Sequence, residues 1–98
     1  RANRDSVSNG LQIKNGDYIG FENKDILVSL PERRRASLEL LRKMNIEGFD
    51  VMMLIRGRDV DESECDGLEK ELCALYKRTE IIRIDGGQPI YDYIFVLQ

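Results

Sequence analysis

The sequence predicts an α/β fold, with α+β as the alternative: a two-layer mixed sheet with two helices in the order β-β-α-β-α-β-β. Three observations carry this reading. Phe49–Ile55 is a nearly continuous apolar run of strand length, the pattern of a central strand covered on both faces, or on one face and an edge. Segments with apolar residues at helical spacing stand on either side of it. Short β-prone pieces, parted by Asn, Gly and Asp, occupy the beginning and the end of the chain.

The elements follow in order. Arg1–Asn9 is polar and without a period, and reads as an extended lead-in. Leu11–Ile13 and Tyr18–Phe21 are β-prone pieces around Asn15-Gly16, a strong turn signal. After the polar break Glu22–Asp25 comes a further strand, Ile26–Ser29, so the region reads as a small antiparallel meander. Ser29-Leu30-Pro31-Glu32 then opens a helix, with Ser29 as cap, Glu32 completing a capping box and Pro31 tolerated in the first turn. Ala36, Leu38, Leu40, Leu41 and Met44 share one arc of that helix, which should stop near Asn45. The apolar strand ends at Arg56-Gly57. Asp61 and Glu64 form the next capping pair, with Val60 placed to staple onto Cys65. Cys65, Leu68, Leu72 and Leu75 supply the buried face of the second helix, and Gly67 weakens it by up to ~1 kcal/mol against alanine. Glu80–Asp85 and Tyr91–Leu97 are the last strands. A strand–helix–strand alternation implies right-handed crossovers and partly parallel pairing. The final two strands have the option of pairing antiparallel.

Ninety-eight residues suffice for one domain, and residues 1–98 are expected to form one. The 42% hydrophobic and 34% charged fractions are those of a soluble globular protein. Fifteen basic and 18 acidic residues leave a net charge of −3, which argues against nucleic acid. The triplet Arg33-Arg34-Arg35 reads as a solvated helix face. No apolar stretch approaches the ~18 residues of a membrane span, and no charged start is followed by the apolar run of a secretory signal. Arg1 in place of an initiator methionine points to a trimmed protein or an excised domain.

Cys65 and Cys73 lie eight residues apart in a helical pattern, about 12 Å along an α-helix, which excludes a disulfide between them. Both are expected buried and reduced. With no histidine, neither a Ser-His-Asp nor a Cys-His constellation can be assembled, and no metal site is expected. The acidic cluster Asp59, Asp61, Glu62, Glu64 and Asp66 lacks EF-hand spacing and instead complements a helix dipole.

The most informative run is Gly86-Gly87-Gln88-Pro89-Ile90-Tyr91-Asp92-Tyr93. Two glycines permit positive φ and close approach to another surface. Gln88 precedes a proline and is pushed toward extended backbone. Tyr91 and Tyr93 alternate with Ile90 and Asp92, so both hydroxyls are expected to project from one sheet face. As chemistry, the run is equally a glycine turn into an edge strand with tyrosines packed beneath it. It is not a phosphate loop, because no Lys-Ser/Thr and no helix follow.

Gly86–Gln98 resembles the terminal Gly-Gly-Gln-Pro-x-Tyr-x-Tyr-Ile signature of bacterial dihydroxyacetone-kinase-like proteins of the fatty acid kinase type. The opening Ala2-Asn3-Arg4-Asp5, with Gly10, Ile13, Lys14 and Gly16-Asp17-Tyr18-Ile19-Gly20, is similar to the stretch that opens that family's last subdomain. The chain departs from the family at Gln98, where a glutamate is usual, and at Ile90 and Asp92, where His and Pro are frequent. The turn glycine common near Asn23-Lys24-Asp25 is also absent.

The resemblance implies a non-catalytic C-terminal domain of a cytoplasmic kinase. ATP and magnesium would belong to a separate kinase domain and no cofactor to this chain. The implied partner is a DegV-like fatty acid binding protein, which presents an acyl carboxylate for phosphorylation on the way to phospholipid synthesis. Other domains of the parent chain are implied as neighbours. The histidine on which dihydroxyacetone kinases trap substrate is absent, so that chemistry is excluded here. The candidate binding residues are Arg4, Asp5, Gly86, Gly87, Gln88, Pro89, Tyr91 and Tyr93. Two other functions are open: a small-ligand or regulatory lobe with Gly86–Pro89 lining a pocket, and a structural cap that buries Tyr91 and Tyr93.

Overall fold

Val51–Arg56 (β5) is the strand that the apolar run forms, and it is the centre of a three-stranded sheet. The computed structural model describes all residues, Arg1–Gln98, in two compact units, Arg1–Asn45 and Ile46–Gln98. Seven strands and two α-helices make an α/β protein.

In the C-terminal unit, β5 pairs in parallel with Glu80–Asp85 (β6) and antiparallel with Tyr93–Leu97 (β7), giving the order β6-β5-β7. The helix Glu62–Leu75 (α2) joins β5 to β6, the crossover that parallel strands need. Met52 and Leu54 are fully buried, as are Cys65, Leu68 and Leu72 of α2. The last two strands do not pair with each other: β6 and β7 occupy opposite edges, and β7 is antiparallel to β5 instead.

The N-terminal unit is built from hairpins. Ser6–Ser8 (β1) pairs with Leu11–Ile13 (β2), and Tyr18–Glu22 (β3) with Asp25–Leu30 (β4), each as a separate antiparallel pair. The lead-in therefore contains a strand that its polar composition concealed. Asn9 (φ 50°) and Gly10 (φ 80°) are both left-handed, as a type I′ hairpin turn requires. At Asn15-Gly16 only Gly16 has positive φ, and the strands on either side do not pair with each other. Asn23 (φ 55°) supplies the positive φ of the β3–β4 turn, where relatives often carry glycine.

The first helix, Arg33–Lys43 (α1), packs Ala36 and Leu40 against Val28, with Tyr18, Leu27, Leu30 and Met44 around them. Its expected capping box is not formed. Ser29 lies in β4, and its hydroxyl donates to Asp17 Oδ2 at 2.9 Å. Glu32 takes the N-cap position without a side-chain cap bond. A strand that runs on to Leu30 leaves Ser29 extended and turned toward a buried carboxylate. At the other end Asn45, left-handed at φ 54°, follows the helix where its stop was expected.

Two further expectations for α2 need correction. Asp61 is its N-cap, but no side-chain cap bond forms. Leu75 is 58% exposed in the last turn, and Cys73 is exposed while Cys65 is buried. The core stripe of α2 is therefore Cys65, Leu68 and Leu72. Both cysteines are free, and burial pushes the Cys65 thiol up, away from the reactive thiolate. No helix is long and apolar enough to cross a membrane.

Candidate functional site

The parallel strands β5 and β6 end side by side at Arg56 and Asp85, and β7 begins opposite Arg56. Two loops therefore meet at the carboxyl end of this sheet. Gly57–Val60 leads into α2, and Gly86–Asp92 carries the Gly-Gly-Gln-Pro run. In open α/β sheets this end is the usual place for recognition.

Backbone bonds tie the loops together. Gly57 N–H donates to the Asp92 carbonyl at 2.7 Å, and Arg58 N–H to the Gln88 carbonyl at 3.0 Å. The amides of Gly86 and Gly87 both donate to the Arg56 carbonyl at 3.0 Å. A Cβ on Gly57 would collide with the Tyr91 carbonyl and lie 2.8 Å from that of Asp92, so glycine is what lets the loops touch. The two glycines of the run divide their tasks. Gly87 adopts φ 67°, and Gly86 makes room for the Gln88 amide and the Ile55 side chain.

Gln88 is half-buried and acts within the loop. Its Nε2 donates to the Tyr91 carbonyl at 3.1 Å and lies 3.4 Å from that of Ile55. Tyr93 is also half-buried in β7; its hydroxyl lies 3.4 Å from Glu64 Oε2 on α2 and its ring is tilted on Phe95 at 6.0 Å. Pro89 is exposed, and its carbonyl accepts from Tyr91 N–H at 2.9 Å.

The tip is different. Ile90 is 82% exposed with φ 75°, and Tyr91 is 48% exposed. A β-branched residue in the left-handed region is strained, and such strain persists only where the surroundings over-determine it. The expected same-face pair of tyrosines does not exist, because β7 begins at Tyr93 and the reversal at Ile90 breaks the alternation. Residue reading passed over Ile90 as a site residue, although an apolar side chain directly after Gln-Pro in a turn was visible. Gly57 was read only as the end of a strand.

Below the loops lies an ion network. Arg56 Nε donates to Asp85 Oδ1 at 2.8 Å and its NH1 to the Val60 carbonyl at 2.7 Å, with Glu62 at 3.6 Å. Arg83 pairs with Asp66 and lies 3.5 Å from Glu69 and from Asp85. The hydrogen bond from Arg56 holds the Asp85 carboxyl below its ordinary range. Within the acidic cluster Glu62 and Asp66 face Arg56 and Arg83, Asp59 lies 3.5 Å from Arg58 and Glu64 faces the Tyr93 hydroxyl, and no group of three or more ligating side chains converges as a metal site.

Arg4 and Asp5 belong to the N-terminal unit. Arg4 is exposed, and Asp5 Oδ1 accepts from Asn15 N–H at 2.6 Å, securing the Asn15-Gly16 turn. In the same unit Arg1 and Arg33 stack over the Tyr18 ring, at 5.0 and 5.2 Å.

Residues 1–98 match the FakA-like C-terminal family, named for the A-type subunit of fatty acid kinase, and the chain belongs to that family. Protein YloV of Bacillus subtilis is 32% identical over 91 residues, covering 93% of this chain and 16% of the relative. An uncharacterized protein of Staphylococcus haemolyticus is 30% identical over 95 residues, 97% of this chain and 17% of the relative. A second, from Staphylococcus epidermidis, matches at 30% over the same share. The chain spans about a sixth of the length of the curated relatives it matches.

Proposed function

We propose that this chain is a non-catalytic docking domain of a fatty acid kinase-like protein. It engages a DegV-like fatty acid binding protein, whose bound acyl carboxylate is phosphorylated by a separate kinase domain that holds ATP and magnesium. The observation that carries this reading is the tip of the Gly86–Tyr93 loop. Ile90 and Tyr91 are presented to solvent on a loop whose backbone is bonded, before and after the tip, to Arg56, Gly57 and Arg58. An exposed apolar–aromatic pair on a pre-organised loop has the composition of an interface anchor.

In this reading Gln88 and Tyr93 are the clasp and Ile90 and Tyr91 the contact. The structural-cap alternative asks for a buried Tyr91, which is not seen. The pocket alternative is disfavoured because the Gln88 amide fills the space beside Gly86.

Titration with a DegV-like acyl carrier by calorimetry tests the proposal. Tyr91→Ala should weaken binding at least tenfold, about 1.4 kcal/mol, with the thermal midpoint unchanged. Failure of the chain to bind a carrier that the full-length kinase binds would sink the docking role.

A further inference from the structure

The sheet of the C-terminal unit has one covered and one uncovered face. The register places Val51, Met53 and Ile55 of β5 beside Ile82 and Ile84 of β6, and beside Ile94 and Val96 of β7. All seven are apolar and none is fully buried. Ile82, Ile84 and Ile94 are 41%, 39% and 36% exposed. Across the sheet, Met52 and Leu54 are sealed, and the unit's one α-helix, α2, contributes its apolar stripe Cys65, Leu68 and Leu72 to the core. That opposite face also carries the charged Arg56, Arg83 and Asp85 at its margin. The exposed face has only Glu80 at its edge.

An antiparallel sheet that leaves one face in water carries polar residues there, whereas this face is apolar, and a contiguous exposed apolar patch marks an interface. We propose that this face is an intramolecular interface. An amphipathic helix from the polypeptide that precedes this region in the full-length protein covers it and completes a third layer. Two observations select that occupant. The family is a C-terminal one, and the relatives are about six times as long as the matched region, so most of their chain lies before it. A tethered segment also acts at high effective concentration, whereas a second copy meets the full association cost. Residues 46–98 hold twelve acidic and six basic side chains, so two copies repel and a helix with Lys or Arg at the margins of its apolar stripe is attracted.

The test is thiol accessibility in the full-length protein with the exposed native thiol removed by Cys73→Ser. Ile82→Cys is compared with Val7→Cys, a reference position that is 71% exposed, using a water-soluble maleimide. Ile82→Cys should react at least tenfold more slowly, at every protein concentration. Ile94→Cys serves as a second reporter should Ile82→Cys not fold. Rates within tenfold of each other overturn the proposal. So does protection that vanishes on dilution, which identifies a second copy, or protection that appears only when acyl carrier is added.

Discussion

In Arg1–Asn45 nine basic residues stand against six acidic ones; in Ile46–Gln98 six basic stand against twelve acidic. The architectures differ as sharply. The first unit is two hairpins and a helix, closed by turns in which Asn9, Gly10, Gly16 and Asn23 take positive φ. Its buried carboxylate, Asp17, accepts a bond from the Ser29 hydroxyl. The second unit is a parallel strand pair with a helical crossover, closed by seven buried apolar side chains from Ile46 to Leu72. One unit specifies itself through local turn chemistry, the other through a hydrophobic pattern that unites distant residues. The second therefore has the larger core to lose, and its loops are the better-anchored platform.

The largest effect that tests this contrast is a pair of core truncations. Leu54→Ala should destabilise by about 3–5 kcal/mol, because Leu54 is fully enclosed. Leu40→Ala, in the smaller N-terminal core, should cost about 2 kcal/mol. Urea unfolding followed by circular dichroism gives both, and equal costs would break the contrast.

A smaller effect is expected at the loop tip. Ile90→Gly relieves the left-handed strain and should stabilise by about 1 kcal/mol. Under the docking reading it also weakens carrier binding. Stabilisation with unchanged affinity would separate the strain from any docking role.

The smallest effect is on pH dependence. The Asp85 carboxyl is held below its ordinary value, first by the hydrogen bond from Arg56. Its contribution is therefore present above the ordinary carboxylate range and is lost as pH falls through the lowered value. Glu39 is lowered in the same way by Arg42 in the N-terminal unit. Both are solvent-facing, so the urea midpoints of Asp85→Asn and Glu39→Gln should fall only slightly less than wild type between pH 7 and pH 3. A midpoint that rises on acidification would contradict the sign.

Legibility followed the same division. The central strand, its parallel pairing and the α2 stripe through Leu72 were readable because burial imposes a period. Leu75 is the last residue of the helix, and Cys73 stands about 100° round it from Leu72, off the buried stripe. In the N-terminal unit the hairpin turn falls at Asn9-Gly10, at the end of what read as a polar lead-in, while Asn15-Gly16, the pair read as the strong turn signal, makes only a plain reversal. Ser29 looked like a cap because its partner, Asp17, is twelve residues away. The Gly-Gly-Gln-Pro run was legible as a turn. The division of Gln88 and Tyr93 from Ile90 and Tyr91 was not, since it depends on where β7 begins.

The position of β7 has a consequence of another kind. Tyr93–Leu97 reads Tyr-Ile-Phe-Val-Leu, without charge, proline or glycine, and it forms one edge of its sheet. The opposite edge strand, β6, carries Glu80, Arg83 and Asp85. Charges on an edge discourage strand-to-strand growth, and a short uncharged aromatic–aliphatic segment invites it. The molecule thus has one guarded and one unguarded border. Any event that frays β7 releases an uncharged aromatic–aliphatic segment, for which Asp92 is the nearest gatekeeper.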